Sequence, residues 1–187
     1  MQVKRKRLAE RPEIILEAAA AVLLKAGARG LTIDAVAAEA GLSKGGVLHH
    51  YASKEALILA LVARKLARLR EELAACEVDL PPGPSQLPRA MVAHVRGHYC
   101  DADESSEALL LASMESPEAQ KDYSAFVAEQ LERLESIEGA KAGEGSVVFF
   151  AILGLFMGRA LGFHQLGEAE LAPMLDALER IARRSET

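Results

Sequence analysis

An all-α chain is the fold class this sequence predicts, and three observations carry the expectation. The composition is 50% hydrophobic, rich in Ala and Leu, with no Trp and 4% aromatic residues, a balance that favours helix. Apolar residues recur at three- and four-residue intervals, and no run alternates with period two. Stop signals (Gly, Pro) followed by start signals (Ser, Thr) divide the 187 residues into about nine helices.

The first helix is expected over about residues 7 to 26, where Ile14, Ile15, Ala18, Ala19, Val22 and Leu23 share a face. Gly27 and Gly30 end it. Thr32 is an N-cap for a short second helix, with Asp34 in its first turn. Ile33, Val36, Ala37 and Ala40 are its apolar positions, and Gly41 closes it. Ser43 caps a third helix over about 44 to 51, with Val47, Leu48 and Tyr51 turned inward. Ser53 caps a fourth, to about 76, striped by Leu57, Leu61, Val62, Leu66, Leu69 and Leu73. DLPPGPSQLPR, residues 79 to 89, is a breaker-rich linker. A fifth helix is expected over about 88 to 100 and a sixth over about 105 to 115. The seventh starts at the N-cap Ser116, with Pro117 in the first helical position, and runs to about 137. EGAKAGEGS is a loop; the eighth helix covers about 146 to 166 and the ninth about 168 to 183.

Two short helices joined by a tight Gly turn, behind a longer one, make a helix-turn-helix. Its second helix holds Gly45 and Gly46 side by side, each costing about 1 kcal/mol against Ala in a helix interior. Glycines let a backbone approach phosphates closely, and the second helix of such a motif enters the DNA major groove. The charge agrees. Residues 1–70 hold 13 Lys and Arg against 6 Asp and Glu, while residues 71–187 hold 9 against 21. A basic third on an acidic body points to a polyanion at one end; a solvated charged surface is the plainer reading of any charge run. KRKR at residues 4 to 7 has two equal readings, a disordered tail or a basic arm on the DNA backbone or minor groove.

Other classes are disfavoured. The longest apolar run, Val147 to Met157, is too short for a bilayer, so no membrane association is expected. The first residues, MQVKRKRLAERPE, lack the apolar core of a secretory signal. Cys76 and Cys100 show neither disulfide nor metal spacing, which predicts a cytoplasmic protein with reduced thiols. No nucleophile or Gly-rich phosphate loop supports an enzyme, and no cofactor is expected.

In the C-terminal part, His94 and His98 are four apart and share a helix face. Spacing suggests no third ligand, since Asp101 and Asp103 lie at the helix end. No metal is therefore expected, and the pair is read as polar groups in an apolar pocket or as satisfied core histidines. The competing function is a helical metal- or ligand-binding protein that uses His94/His98 without regulating DNA. Candidate pocket walls are Met91, Val95 and Tyr99 of the fifth helix, with Leu110 and Met114 of the sixth. Phe126 joins them from the seventh, and Phe149, Leu153 and Phe156 from the eighth. Plain core packing is the alternative for each. Gly154, Gly158 and Gly162 recur every four residues, a smooth stripe suited to close packing in a dimeric four-helix bundle or within one subunit.

GARGLTIDAVAAEAGLSKGGVLHHYASKEALILALV resembles the DNA-binding region of TetR-family (tetracycline-repressor-like) transcriptional regulators. The resemblance spans roughly residues 10 to 63. The order Gly-Leu-Thr, Ala-x-x-Ala-Gly-Leu-Ser-Lys-Gly, aromatic, Ser-Lys-Glu-Ala-Leu falls at that family's spacing. It implies a helix-turn-helix DNA-binding domain over 1–52 and a helical effector-binding and dimerisation domain over 53–187, dimerising through the last two helices. LLLASMESPEA and the apolar eighth helix look like a multidrug-responsive branch.

The resemblance implies that Thr32 caps the second helix and touches phosphate, and that Ser43, Lys44, Gly45 and Gly46 open the recognition helix. His50 and Lys54 match backbone-contacting positions, and Gly46 often corresponds to Thr in relatives. Leu48 stands where most members carry a phosphate-contacting Tyr, and Tyr51 where they carry Phe; His49, one step on, is placed to take over part of the lost contact. Asp34 sits where some members use a polar or basic residue near bases; serving the helix dipole is the favoured reading. The function implied is a ligand-responsive repressor, a homodimer on a palindromic double-stranded DNA operator, released by a small-molecule effector.

Overall fold

The computed structural model describes residues 11–99, 104–138 and 143–184, with backbone alone at 104, 105 and 138. The described residues form nine α-helices and no strand, in line with the expected fold class. They are α1 (Arg11–Gly30), α2 (Ile33–Glu39), α3 (Lys44–Leu48), α4 (Lys54–Val78) and α5 (Gln86–His98). Next come α6 (Glu104–Ser113), α7 (Pro117–Glu138), α8 (Glu144–Ala160) and α9 (Glu168–Arg184). The basic stretch at 4 to 7, Cys100, Asp101 and Asp103 lie outside the described residues. No helix among the described residues is long and apolar enough to cross a membrane.

Packing divides the described residues into two compact units. One comprises those of Met1–Lys65 and Asp103–Asp122, the other those of Leu66–Ala102 and Tyr123–Thr187. The sequence places a division after residue 52; the packing boundary falls inside α4 and again inside α7.

In the N-terminal unit, α1 packs on α2 and α6, and α2 packs on α3. Ile15, Ala19 and Leu23 of α1 are buried, as are Leu31, Val36, Val47, Leu57 and Val62, all essentially without solvent contact. Each such Val, Leu or Ile side chain contributes about 1.5–3 kcal/mol by leaving water. Gly27 interrupts α1 with φ +64°, a conformation glycine adopts without steric cost. Lys54 Nζ donates to the Ala28 carbonyl at 2.6 Å, satisfying a backbone acceptor in the turn behind that break. Arg64 donates to Glu13 at 3.2 Å and to the Leu16 carbonyl at 3.3 Å, tying α4 to α1.

In the C-terminal unit, α5 packs on α8 and α9, and α8 on α9. Its core includes Leu87, Val95, Leu134, Val148, Leu175 and Ala182. Ion pairs fasten its periphery: Arg70–Glu129 at 2.6 Å, Arg133–Glu77 at 2.8 Å and Arg89–Glu179 at 3.0 Å.

The first helix runs on past Gly27 to Gly30 rather than ending at about residue 26, and three other helix limits differ from the sequence expectation for identifiable reasons. The fifth helix starts at Gln86 rather than Pro88, because Pro88 sits in the first turn, where a missing N–H costs no bond. The third stops at Leu48, and Tyr51 N bonds the Val47 carbonyl in the turn beyond it. The eighth ends at Ala160 instead of about residue 166, because Gly162 takes φ +73° and closes a Schellman-type end. Gly162 therefore lies beyond the helix and outside the stripe expected with Gly154 and Gly158.

Candidate nucleic-acid interface

Three side-chain caps set the geometry of residues 32 to 56. Thr32 Oγ1 accepts from Ala35 N, Ser43 Oγ from Gly46 N and Ser53 Oγ from Ala56 N, each at 3.1 Å. Each satisfies one of the amides that a helix start leaves open. Between α2 and α3 the chain turns at Gly41, φ +64°. Gly41 N donates to the Ala38 carbonyl and Leu42 N to the Ala37 carbonyl. The short α3 is held by one buried side chain, Val47.

Around that anchor, Ser43, Lys44, Gly45, Leu48 and His49 are exposed, and Gly46 and His50 are half-buried. Leu48 corrects an expectation. Its spacing predicts a core position, but it is 39% exposed, because a helix of five residues turns few positions inward. The His49 and His50 rings meet edge to face, centroids 5.1 Å apart. A Cβ at Gly45 would meet nothing within 4 Å, whereas one at Gly46 would lie 3.3 Å from Ser43 Oγ.

The two lysines have partners in their own unit. Lys44 Nζ lies 2.9 Å from Asp34 Oδ2, both side chains well exposed, so Asp34 braces α3 as well as sitting in the first turn of α2. Lys54 uses one of its three N–H donors on Ala28. Burial foremost, and Glu13 after it, raise the Tyr51 pKa against the opposing charge of Arg64, so its hydroxyl stays protonated and able to donate.

Among the other candidates, Met91, His94, Val95, Tyr99, Phe126 and Phe149 are buried in the C-terminal unit, Leu153 and Phe156 are half-buried and His98 is exposed. Tyr99 and Phe156 meet with ring centroids 5.4 Å apart, and the Arg159 guanidinium lies 4.6 Å above the Tyr99 ring and donates to the Tyr99 carbonyl. Leu110 and Met114 belong to the N-terminal unit, and Met114 is largely exposed. A Cβ at Gly158 would lie 2.6 Å from His164 Nε2, so the chain's own histidine fills that notch; Gly154 has open space there. Sequence reasoning missed Asp34 as the partner of Lys44, Arg159 over Tyr99, and Glu72, whose carboxylate approaches His94 from α4. No local signal marks the last two, since each pairs residues on different helices.

Comparison with known proteins agrees with this arrangement. Residues 15–61 match the family described as bacterial regulatory proteins, tetR family, and residues 85–183 match the tetracyclin repressor-like C-terminal domain. Over 91 residues the chain is 33% identical to the HTH-type transcriptional repressor AcnR of Corynebacterium diphtheriae. That match covers 49% of this chain and 45% of AcnR, so it spans less than half the length of that relative. A TetR-family transcriptional regulator of Streptomyces coelicolor superposes with a TM-score of 0.76 at 18% identity, covering 100% of this chain and 97% of that one. The fatty acid degradation regulator FadR of Bacillus halodurans superposes with a TM-score of 0.67 at 13% identity, covering 92% and 94%. At such identities the likeness establishes the fold alone.

Proposed function

The chain belongs to the tetR family of bacterial regulatory proteins, and on that premise we propose that it is a ligand-responsive transcriptional repressor. Two copies bind a palindromic operator, each placing α3 in the major groove. The observation that carries the reading is the exposed glycine at the start of α3. None of the described residues occupies the space beside Gly45, so packing among them does not call for a glycine there, whereas a closely approaching phosphate backbone does. Lys44, His49, His50 and Lys54 supply donors to phosphate. Thr32 and Ser43, whose oxygens accept backbone N–H groups, keep a hydroxyl proton for the same purpose. Leu48 offers an apolar contact of the kind that reads a thymine methyl group.

Dimerisation fits the outer face of α8 and α9. Val147, Phe150, Phe163 and Met174 are 56%, 52%, 79% and 42% exposed, a concentration of apolar surface suited to a four-helix interface between copies. Gly154, exposed and open, lets a partner helix come close. The effector is a small, largely apolar molecule held by the C-terminal unit among residues such as Met91, Val95 and Phe149. By binding better to one spacing of the two recognition helices, it shifts the population away from the DNA-competent form. AcnR is named a repressor, and the same sign of regulation is proposed here.

Selection of duplexes from a random pool by the purified protein tests this reading. An enriched inverted repeat, with half-sites about 34–36 Å apart along the duplex, is expected. Recovery of no common sequence would contradict it.

A further inference from the structure

One side-chain cluster has donor chemistry that the proposed regulation does not use. His94 and His98 stand one turn apart on α5, rings stacked with centroids 4.6 Å apart and planes 22° from parallel. Glu72, on the C-terminal half of α4, brings Oε2 to 3.9 Å from His94 Nδ1. One ligand atom from each of the three residues lies within 4.8 Å of the other two.

The surroundings orient these donors. His98 Nδ1 is 2.9 Å from the His94 carbonyl oxygen. Donating to that carbonyl places the ring proton on Nδ1 and leaves the Nε2 lone pair for a cation. Arg68 Nε donates to Glu72 Oε1 at 2.6 Å and leaves Oε2 toward His94. The gap of 3.9 Å between Glu72 and His94 is too long for a hydrogen bond. A tetrahedral ion with ligands at about 2.0–2.2 Å separates its donor atoms by roughly 3.4 Å. Small rotations of the half-buried Glu72 and the exposed His98 close the set around the buried His94, and the solvent side leaves a fourth position for water.

We propose that Glu72, His94 and His98 bind a divalent first-row transition-metal ion, with the two-histidine, one-carboxylate donor set that suits Zn2+. The ion ties the C-terminal half of α4 to α5. The site stands or falls independently of the operator.

The test uses the full chain without an affinity tag, stripped with a chelator and titrated with Co2+. One Co2+ per chain is expected, with the strong visible d–d absorption of a four-coordinate ion, lost on adding Zn2+. His98→Ala and Glu72→Gln should each weaken binding by about tenfold or more with an unchanged circular dichroism spectrum, since neither side chain belongs to the apolar core. His49→Ala, at the other histidine pair, should leave binding unchanged. Absence of saturable Co2+ binding, or binding that survives either Glu72→Gln or His98→Ala undiminished, would overturn the proposal.

Discussion

The α2–α3 pair and the α8–α9 pair use the same backbone device and present opposite chemistry. Each first helix ends at a left-handed glycine, φ +64° at Gly41 and +73° at Gly162. Leu42 N donates to the Ala37 carbonyl at 2.9 Å, and Phe163 N to the Gly158 carbonyl at 2.8 Å. These are matching Schellman-type ends. The second helices differ. After Gly41 comes a helix of five residues anchored by Val47; after Gly162 comes one of 17 residues, burying Leu171, Leu175, Leu178 and Ala182. The first pair shows solvent Lys44, Gly45 and His49; the second shows Phe150, Phe163 and Met174. The turn directs the chain, and the exposed face is what the proposed partners would meet: a hydrated polyanion for one pair, a second copy's apolar face for the other.

The comparison breaks first where packing is deepest. Leu175, 1% exposed, anchors α9, and Leu175→Ala should cost about 2–5 kcal/mol, read as a lower urea midpoint. An unchanged midpoint would mean that α9 is not held by this side.

Next, one chemical change at two open glycines should give opposite results. Gly45→Glu and Gly154→Glu both add a side chain where its Cβ meets nothing, so both proteins should fold. Gly45→Glu should weaken operator binding on the order of 100-fold by setting carboxylates against phosphates, yet remain dimeric in analytical ultracentrifugation. Gly154→Glu should shift the sedimenting species toward monomer. The same outcome for both variants would erase the proposed division of roles.

A smaller gain is expected from Leu48→Tyr. The residue is exposed enough to be replaced without repacking, and a phenol there restores a hydrogen bond to phosphate. A net gain of about 1 kcal/mol per bond means several-fold tighter binding in a gel-shift titration; weaker binding would favour Leu48 as a base-reading residue.

The smallest effect concerns acid. The Arg70 hydrogen bond, foremost, lowers the Glu129 pKa against the opposing effect of burial. A carboxyl held below its unfolded value stabilises above that value and loses the contribution as pH falls through the folded one. Glu129→Gln should therefore flatten the fall of Tm below about pH 4.5, the ordinary glutamate value. The pair is exposed, so the change should be slight.

Much of the N-terminal unit is legible because its determinants are local. Thr32, Ser43, Ser53 and Ser116 each accept an amide three residues on, at 3.1 to 3.3 Å, and a cap needs only its own turn. Gly41 is equally local. Leu48 is misread because periodicity assumes a helix long enough to have an inner face. Lys54 pairs with Ala28, 26 positions away, and Glu72 meets His94 from another helix; neither spacing carries a signal. Gly154, Gly158 and Gly162 look alike in sequence, yet Gly158 receives His164, Gly162 lies past the end of α8 and Gly154 alone of the three lies open on it.

The most direct measurement is fluorescence anisotropy of the purified protein on DNA from just upstream of its own gene, against a scrambled duplex, over a salt series. Tight binding that prefers the upstream DNA is expected, the logarithm of its affinity falling with log salt by about 0.9 for each phosphate neutralised. Equally weak, salt-insensitive binding to both duplexes would contradict it.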